Sequence, residues 1–366
     1  MRLGEVECLS DDDRPNQLLR LRDLSGGSPA SFIVKKVVAE PYDPSDAASW
    51  DTRRFLGDSA GAEFLSTALS ASLSPRFYGG SHDLGFFILE DLGEHQSLVE
   101  PLLEQDAASA EKALLAFSSR LGAMHAGTIG HSTTYERLLR TRSSQAGIFA
   151  PPLTGLGEQV NELQTRLDGL GIHAGTEYAR EVHAVIAAIE HPGPFLSYVH
   201  GDPCPDNVFW NGGELRLIDF EFGGFGHALA DAAYGRMLFP SCWCANRVPE
   251  TLVSKMETAY RTELVKGCPE AQDDRTFDTA LVTACAFWLM KTLSRHLGNA
   301  MDADRTWGIA TMRQRVLARL AAFTATAEQF DQLPALRGTA SSLLATLQSA
   351  WPETPILPPY PSFQRP

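Results

Sequence analysis

The chain has no apolar run long enough to cross a bilayer: its longest, ALVTACAFWLM from Ala280, falls well short of the roughly 20 residues a spanning helix needs. The opening residues, MRLGEVECLSDDDRPN, lack the apolar core of a secretion signal. Basic residues are outnumbered. With 31 Lys and Arg against 45 Asp and Glu, the formal net charge is −14, which argues against a broad contact surface for nucleic acid and suits a cationic or neutral small partner better. Cysteine is sparse as well. The six residues Cys8, Cys204, Cys242, Cys244, Cys268 and Cys285 show no framework spacing, so reduced thiols in a soluble, cytoplasmic protein are expected. Cys242-Trp243-Cys244 has no further Cys or His at a spacing that zinc would need. Internal repeats and long charge runs are absent too, and nothing in the sequence speaks to oligomeric state.

What is present is enough apolar material, 44% of 366 residues, to fill one large domain or two smaller ones. Within residues 1–92 the runs GEVECLS, QLLRLRDL, SFIVKKVV and GFFILEDL read as strands, and SAGAEFLSTALSA reads as a helix. That order, three strands, a helix and a strand, predicts a small antiparallel sheet carrying one helix. From about Gly93 helical periods dominate, as in SAEKALLAFSSRLGAMHAG, DTALVTACAFWLMKTLSRHLG and DRTWGIATMRQRVLARLAAFTATAEQF. Residues 41–49, with their prolines and serines, are the one candidate linker. RGTASSLLATLQSAW reads as a last helix. Its sequel, PETPILPPYPSFQRP, is too rich in proline for helix or central strand and is expected to lie along the surface or stay mobile. The expected fold class is α+β.

The stretch LSYVHGDPCPDNVFWNGGELRLIDFEFGG, residues 196–224, interrupts the helices. NVFW and LRLI are short apolar strands, and Asn211-Gly212-Gly213 between them supplies residues that tolerate the positive φ of a tight hairpin turn. Asn207 sits just before the first strand and Asp219 just after the second, so pairing brings an amide oxygen and a carboxylate to one end. Two hard oxygens at one point suit Mg²⁺, which takes few protein ligands and leaves other positions to water and phosphate oxygens. Asp202 lies five residues before Asn207 on a loop stiffened by Pro203 and Pro205. A carboxylate placed there can accept the proton of a hydroxyl that attacks phosphorus.

His200-Gly201-Asp202-x-x-x-x-Asn207 followed by Ile218-Asp219-Phe220-Glu221 resembles the aminoglycoside phosphotransferase and choline kinase family, small-molecule relatives of the protein kinases. The resemblance covers most of the chain. It implies a protein-kinase-like two-lobed fold: a nucleotide-binding lobe at 1–92, a larger, mainly helical catalytic and acceptor-binding lobe at 93–333, and a C-terminal helix and Pro-rich tail at 334–366. It further implies transfer of the γ-phosphate of ATP, with Mg²⁺, to a hydroxyl of a small molecule. An aminoglycoside, an amino alcohol or a sugar would qualify as acceptor. Asp202 would be the catalytic base, Asn207 and Asp219 the metal ligands, and His200 and Asp231 the supports of the catalytic loop. His125 would pack or hydrogen-bond behind that loop.

A kinase-like site also needs a lysine on the third strand and a glutamate on the following helix to orient it. Lys35, which ends the apolar triplet of FIVKKVV, and Glu63 are the candidates. Backbone groups near Glu90 and Leu92 would meet adenine, with Ile33 and Ile218 above and below the base. The first hairpin, LSDDDRPNQ, has no glycine where relatives often carry one, and its three aspartates would repel a triphosphate. That leaves Arg14 or Asn16 as phosphate contacts there and keeps GTP open as donor. Trp243 is a candidate wall of the acceptor pocket, Glu221 could meet a substrate ammonium or equally hold the loop together, and Trp288 reads as core. The alternatives are a nucleotide-binding pseudokinase and a kinase acting on protein side chains. Against the second, only eleven residues separate Asp219 from Asp231, too few for a long activation segment.

Overall fold

A computed structural model of the protein describes residues 3–10, 16–38, 42–46, 49–69, 72–94, 96–142, 153–211 and 213–364. The turn of the first hairpin, with Arg14 and the three aspartates, and much of the segment between Arg142 and Leu153 lie outside the described residues.

The N-terminal part is a five-stranded antiparallel sheet in the order β1-β2-β3-β5-β4, formed by β1 (Leu3–Cys8), β2 (Asn16–Asp23), β3 (Ser31–Val37), β4 (Phe77–Ser81) and β5 (Phe86–Glu90). In β3, Lys35 stands opposite Leu18 of β2 and Phe87 of β5 and is buried, whereas its neighbour Lys36 is exposed. The period-two pleat makes that choice between the two lysines. β4 is the strand that the sequence pattern does not reveal. Its FYGGS contains two glycines, and Gly80 lies so close to the backbone of Phe86 and Phe87 that a side chain there would collide.

Helix α1 (Trp50–Ala68) crosses between β3 and β4 and begins well before the expected Ser59, because Ser49 caps it by accepting from the Thr52 N–H at 3.2 Å. Its middle, from Phe55 to Ala62, is buried. The chain then runs through β6 (Gln96–Ser97), α2 (Val99–Leu103), α3 (Ala107–Thr128), α4 (Ser132–Arg142), α5 (Leu156–Gly169), α6 (Thr176–Glu190), β7 (Leu196–Val199), β8 (Val208–Trp210), β9 (Leu215–Leu217) and β10 (Gly224–His227). It ends with α7 (Ala228–Ala232), α8 (Glu250–Leu264), α9 (Asp274–Asp302), β11 (Thr306–Trp307), β12 (Ala310–Thr311), α10 (Met312–Gln329) and α11 (Pro334–Ala350). The protein is thus α+β, with an antiparallel N-terminal sheet and a helical C-terminal part. Among the described residues no helix is long and apolar enough to cross a membrane.

α9 is the axis of the helical part. Asp273 caps its first turn by accepting from the Thr276 N–H at 2.8 Å, and from Ala280 to Met290 every residue is buried. α5, α6, α7 and α10 pack around it.

The proline-rich tail corrects one expectation. Leu357 and Tyr360 are fully buried, and the tail hydrogen-bonds Arg247 on both sides, Arg247 N–H to Pro358 O and Tyr360 N–H to Arg247 O, each at 3.0 Å. Proline bars this stretch from helix, but two apolar anchors fix it in place.

Candidate active site

β8 and β9 pair as the expected hairpin, Val208 opposite Leu217, and the Ile218 N–H donates to Asn207 O at 3.0 Å, carrying the ladder one step beyond the strands. Asn207 and Asp219 therefore flank one end of it. The Asn207 amide nitrogen donates to the Asp202 carbonyl at 3.0 Å, which leaves its oxygen as the free end. Asp219 has φ of 67°, a left-handed conformation that residues other than glycine rarely adopt. Its Oδ1 accepts from Lys35 Nζ at 2.7 Å, and about a third of its side chain remains accessible.

Lys35 is shared by two carboxylates. Besides Asp219, its ammonium lies 2.6 Å from Asp58 Oδ2, while Asp58 Oδ1 accepts from the Phe220 N–H at 2.8 Å. Burial would lower the Lys35 pKa, but the charges of Asp219 and Asp58 override it and the net shift is upward. Burial likewise works against the charged form of Asp219, yet Lys35, with His200 and Arg54, holds its carboxyl below the usual range. The Asp58 carboxyl is pushed up, first by burial and then by Asp219, with Lys35 opposing. Two carboxylates against one ammonium leave a surplus of negative charge where Asp219 and Asn207 present free oxygens. That surplus and those hard donors fit a small divalent cation. Among the described residues no group of three or more His, Cys, Asp and Glu forms a separate metal site.

The expected pairing of Glu63 with Lys35 is therefore corrected. Glu63 forms an ion pair with the buried Arg142 of α4, and Asp58 holds the lysine. α1 starts earlier than the sequence suggested, and the residue that faces β3 lies on the earlier turns. One signal was available: Asp58 is a carboxylate among Phe55, Leu56, Ala60 and Ala62, and acids are rarely buried without a partner.

Asp202 lines a cavity of about 260 Å³. Its Oδ1 accepts from the Ser241 hydroxyl and, at 3.4 Å, from Tyr234 OH. Burial pushes its carboxyl up despite the Ser241 hydrogen bond and the nearby His200. The loop is braced from beneath: the N–H groups of His200 and Gly201 donate to the two oxygens of the fully buried Asp231 at 2.6 and 3.1 Å. His125 bridges Asp231, at 3.2 Å, to Tyr260 OH, at 2.8 Å, and His200 Nε2 meets the Ile218 carbonyl at 2.9 Å. Gly201 has φ of 78° and touches the Phe222 carbonyl where a side chain would begin, so only glycine fits.

The remaining candidates are distributed as follows. Ile33 shares the Lys35 face of β3 opposite Leu89, Glu90 closes β5 and donates its N–H to Arg76 O, Leu92 follows two residues later, and Ile218 is partly exposed beside Asp219. Glu221 is not available to a substrate ammonium: its carboxylate is gripped by Arg54 of α1, at 2.9 and 2.5 Å, with its pKa raised to about 7 by burial and then by Asp219. Trp243 does not line the Asp202 cavity. Its indole N–H donates to Asp206 at 3.0 Å. The aromatic walls are Phe222, Trp288 and Trp307 instead, and Trp288 also packs in the core and donates to the Ala230 carbonyl at 2.7 Å. Trp307 was invisible in the sequence because it belongs to a two-residue strand with no period to read.

The thiol expectation is also corrected. Cys204 and Cys242 are joined by a disulfide, their Cα atoms 5.6 Å apart, while Cys244, Cys268 and Cys285 are buried thiols outside any disulfide. The two partners are 38 residues apart in sequence, and only the fold brings them together. The bond ties the Asp202 loop to the segment carrying Ser241.

Fold and site together are those of a phosphotransferase. The family model described as the phosphotransferase enzyme family matches residues 60–259, more than half of the chain, and the chain belongs to that family. No curated protein matches it. Similar solved structures include a choline/ethanolamine kinase family protein from Mesorhizobium loti, 15% identical over 92% of this chain and 93% of that one, with a TM-score of 0.46. A choline kinase from Cryptosporidium parvum Iowa II is 13% identical over 95% and 90%, with a TM-score of 0.45. A putative aminoglycoside phosphotransferase from Ralstonia eutropha is 12% identical over 93% of each chain, with a TM-score of 0.44.

Proposed function

We propose that the protein moves the γ-phosphate of ATP, with Mg²⁺, to a hydroxyl of a small molecule. Residues 1–92 form the nucleotide-binding lobe, residues 93–333 the catalytic and acceptor-binding lobe, and residues 334–366 a helix and tail that pack on it. The observation that carries the reading is the charge arrangement at the end of the β8–β9 hairpin, where Lys35 neutralises one of two carboxylates and the free oxygens of Asn207 and Asp219 remain. Those two residues would hold the metal ion, which supplies charge compensation on the transferring phosphoryl oxygens when bound. Lys35 binds the α- and β-phosphates, oriented by Asp58. Ile33 and Ile218 clasp the base, and the backbone near Glu90 and Leu92 reads its edge. Asp202 orients the acceptor hydroxyl and takes its proton, held in place by Ser241 and by the Asp231 brace. The raised pKa of Asp202 brings a carboxylate closer to the range in which it can serve as base near neutral pH.

The test is Asp202→Asn, assayed by ATP consumption across hydroxylated compounds. Turnover should fall by roughly 10²–10⁴, the contribution of a positioned general base, while nucleotide affinity is retained. Undiminished turnover of a genuine acceptor would remove Asp202 from the chemistry.

A further inference from the structure

The protein is acidic overall, but the cavity that opens on Asp202 is not. α9 places Lys291, Arg295 and His296 along its wall, and Asp202 is the one acidic residue among the described lining residues. Neither Lys291 nor Arg295 forms an ion pair with a described carboxylate. The Lys291 ammonium rests instead 5.1 Å from the ring centre of Trp288 and 5.3 Å from that of Phe287. Burial and then the charge of Arg295 push the Lys291 pKa down, and the charge of Asp202 opposes them without reversing the shift.

Behind this wall lie two more cations. Arg315 and Arg319 of α10 are 1% and 2% exposed. Arg315 spends its guanidinium on the carbonyls of Cys242, Trp243 and Trp307, all at 2.7 Å, and stacks 4.5 Å from the centre of Trp307. Arg319 donates to the Pro240 carbonyl at 2.8 Å. Each leaves its Nε without a partner among the described residues, and neither meets a carboxylate. Burial lowers them to about 10 and about 9, so both stay charged at neutral pH. Next to them the imidazole of His296 is lowered to about 4 by burial and then by Arg319, Arg295 and Arg315.

Buried charge without a counter-ion is expensive, and a positive potential focused in a low-dielectric cleft attracts the opposite charge. A cationic acceptor, which the net charge alone had favoured, would face Lys291 and Arg295 with only Asp202 to offset them, and Arg315 and Arg319 behind. We propose that the acceptor is a small hydroxylated compound bearing an anionic group, the anion seated between Lys291 and Arg295, its body against Trp307 and Phe222, and its hydroxyl turned to Asp202. This deepens the phosphotransfer reading and rests on it for the role of the hydroxyl. The anion site itself stands on the cavity alone.

Three single-ring sugars of matched size test it: glucuronate, glucose and glucosamine, used both as calorimetric ligands of the nucleotide-loaded protein and as acceptors with ATP and Mg²⁺. Glucuronate should bind at least about tenfold more tightly than glucosamine. The Lys291→Gln, Arg295→Gln double variant should bring that ratio near one, and Lys291→Arg should keep it. Nucleotide affinity measured alongside registers any fold defect. Equal or tighter binding of glucosamine, no detectable glucuronate binding, or a preference that survives the double variant would overturn the proposal. Glucuronate preference without a phosphorylated product would uphold the anion site and sink phosphotransfer as its use.

Discussion

Asp58 and Glu63 lie on one helix, yet only the first reaches the ammonium of Lys35. The difference is angular, since five residues along an α-helix turn a side chain well away from its starting direction. The consequence is measurable. Asp58→Asn should weaken nucleotide binding by about tenfold, because Lys35 loses one of the two charges that orient it, whereas Glu63→Gln should leave nucleotide affinity unchanged. Titration of a fluorescent nucleotide analogue against both variants decides between them. Equal losses would return the orienting role to Glu63. The lysine itself was legible through the family resemblance, in which the lysine ends the apolar triplet; strand alternation alone put Lys35 and Lys36 on opposite faces without choosing between them. Its partner was not, because the start of α1 depends on the Ser49 cap and on packing that no apolar period announces.

At the scale of elements, the site is two loops held against each other. The loop between β7 and β8 is braced below by Asp231 and tied sideways through Cys204 to Cys242, next to the Ser241 whose hydroxyl meets Asp202. A bond that closes a span of 38 residues restricts the unfolded chain by about 4 kcal/mol in the loop-entropy account. Reductant, or Cys242→Ser, should therefore lower the melting temperature. It should also reduce turnover more than nucleotide affinity, because the freed segment is the one that positions Ser241. Melting curves and kinetics with and without dithiothreitol test both parts, and a protein indifferent to reductant would show the tether to be dispensable. The hairpin was readable from Asn211-Gly212-Gly213 between two apolar triplets. The disulfide was not, because cysteine spacing carries no information about a pairing made by tertiary contact.

At the scale of the whole molecule, α9 and the tail bury apolar side chains in different ways. α9 is apolar nearly all round because helices surround it, and that was visible as an unbroken run. The tail was misjudged because proline forbids regular structure but not burial. Tyr360 is fully buried with its ring 6.1 Å from that of Phe239, in an edge-on arrangement. Tyr360→Ala should cost about 3 kcal/mol, the range for deleting a buried aromatic ring, and urea denaturation would reveal it. A loss below about 1 kcal/mol would mean that the tail merely rests on the surface.

The sequence by itself determined the hairpin. Asn207 and Asp219 stand in a spacing that strand pairing must bring to one end, since pairing is a short-range geometric rule. Tertiary structure decided everything that depends on which distant surfaces meet: that Asp58 holds Lys35, that Cys204 finds Cys242, and that cations from α9 and α10 gather behind one cavity of an acidic chain. Net charge sums over all residues, but a pocket responds to the few within a screening length, and only the fold selects those.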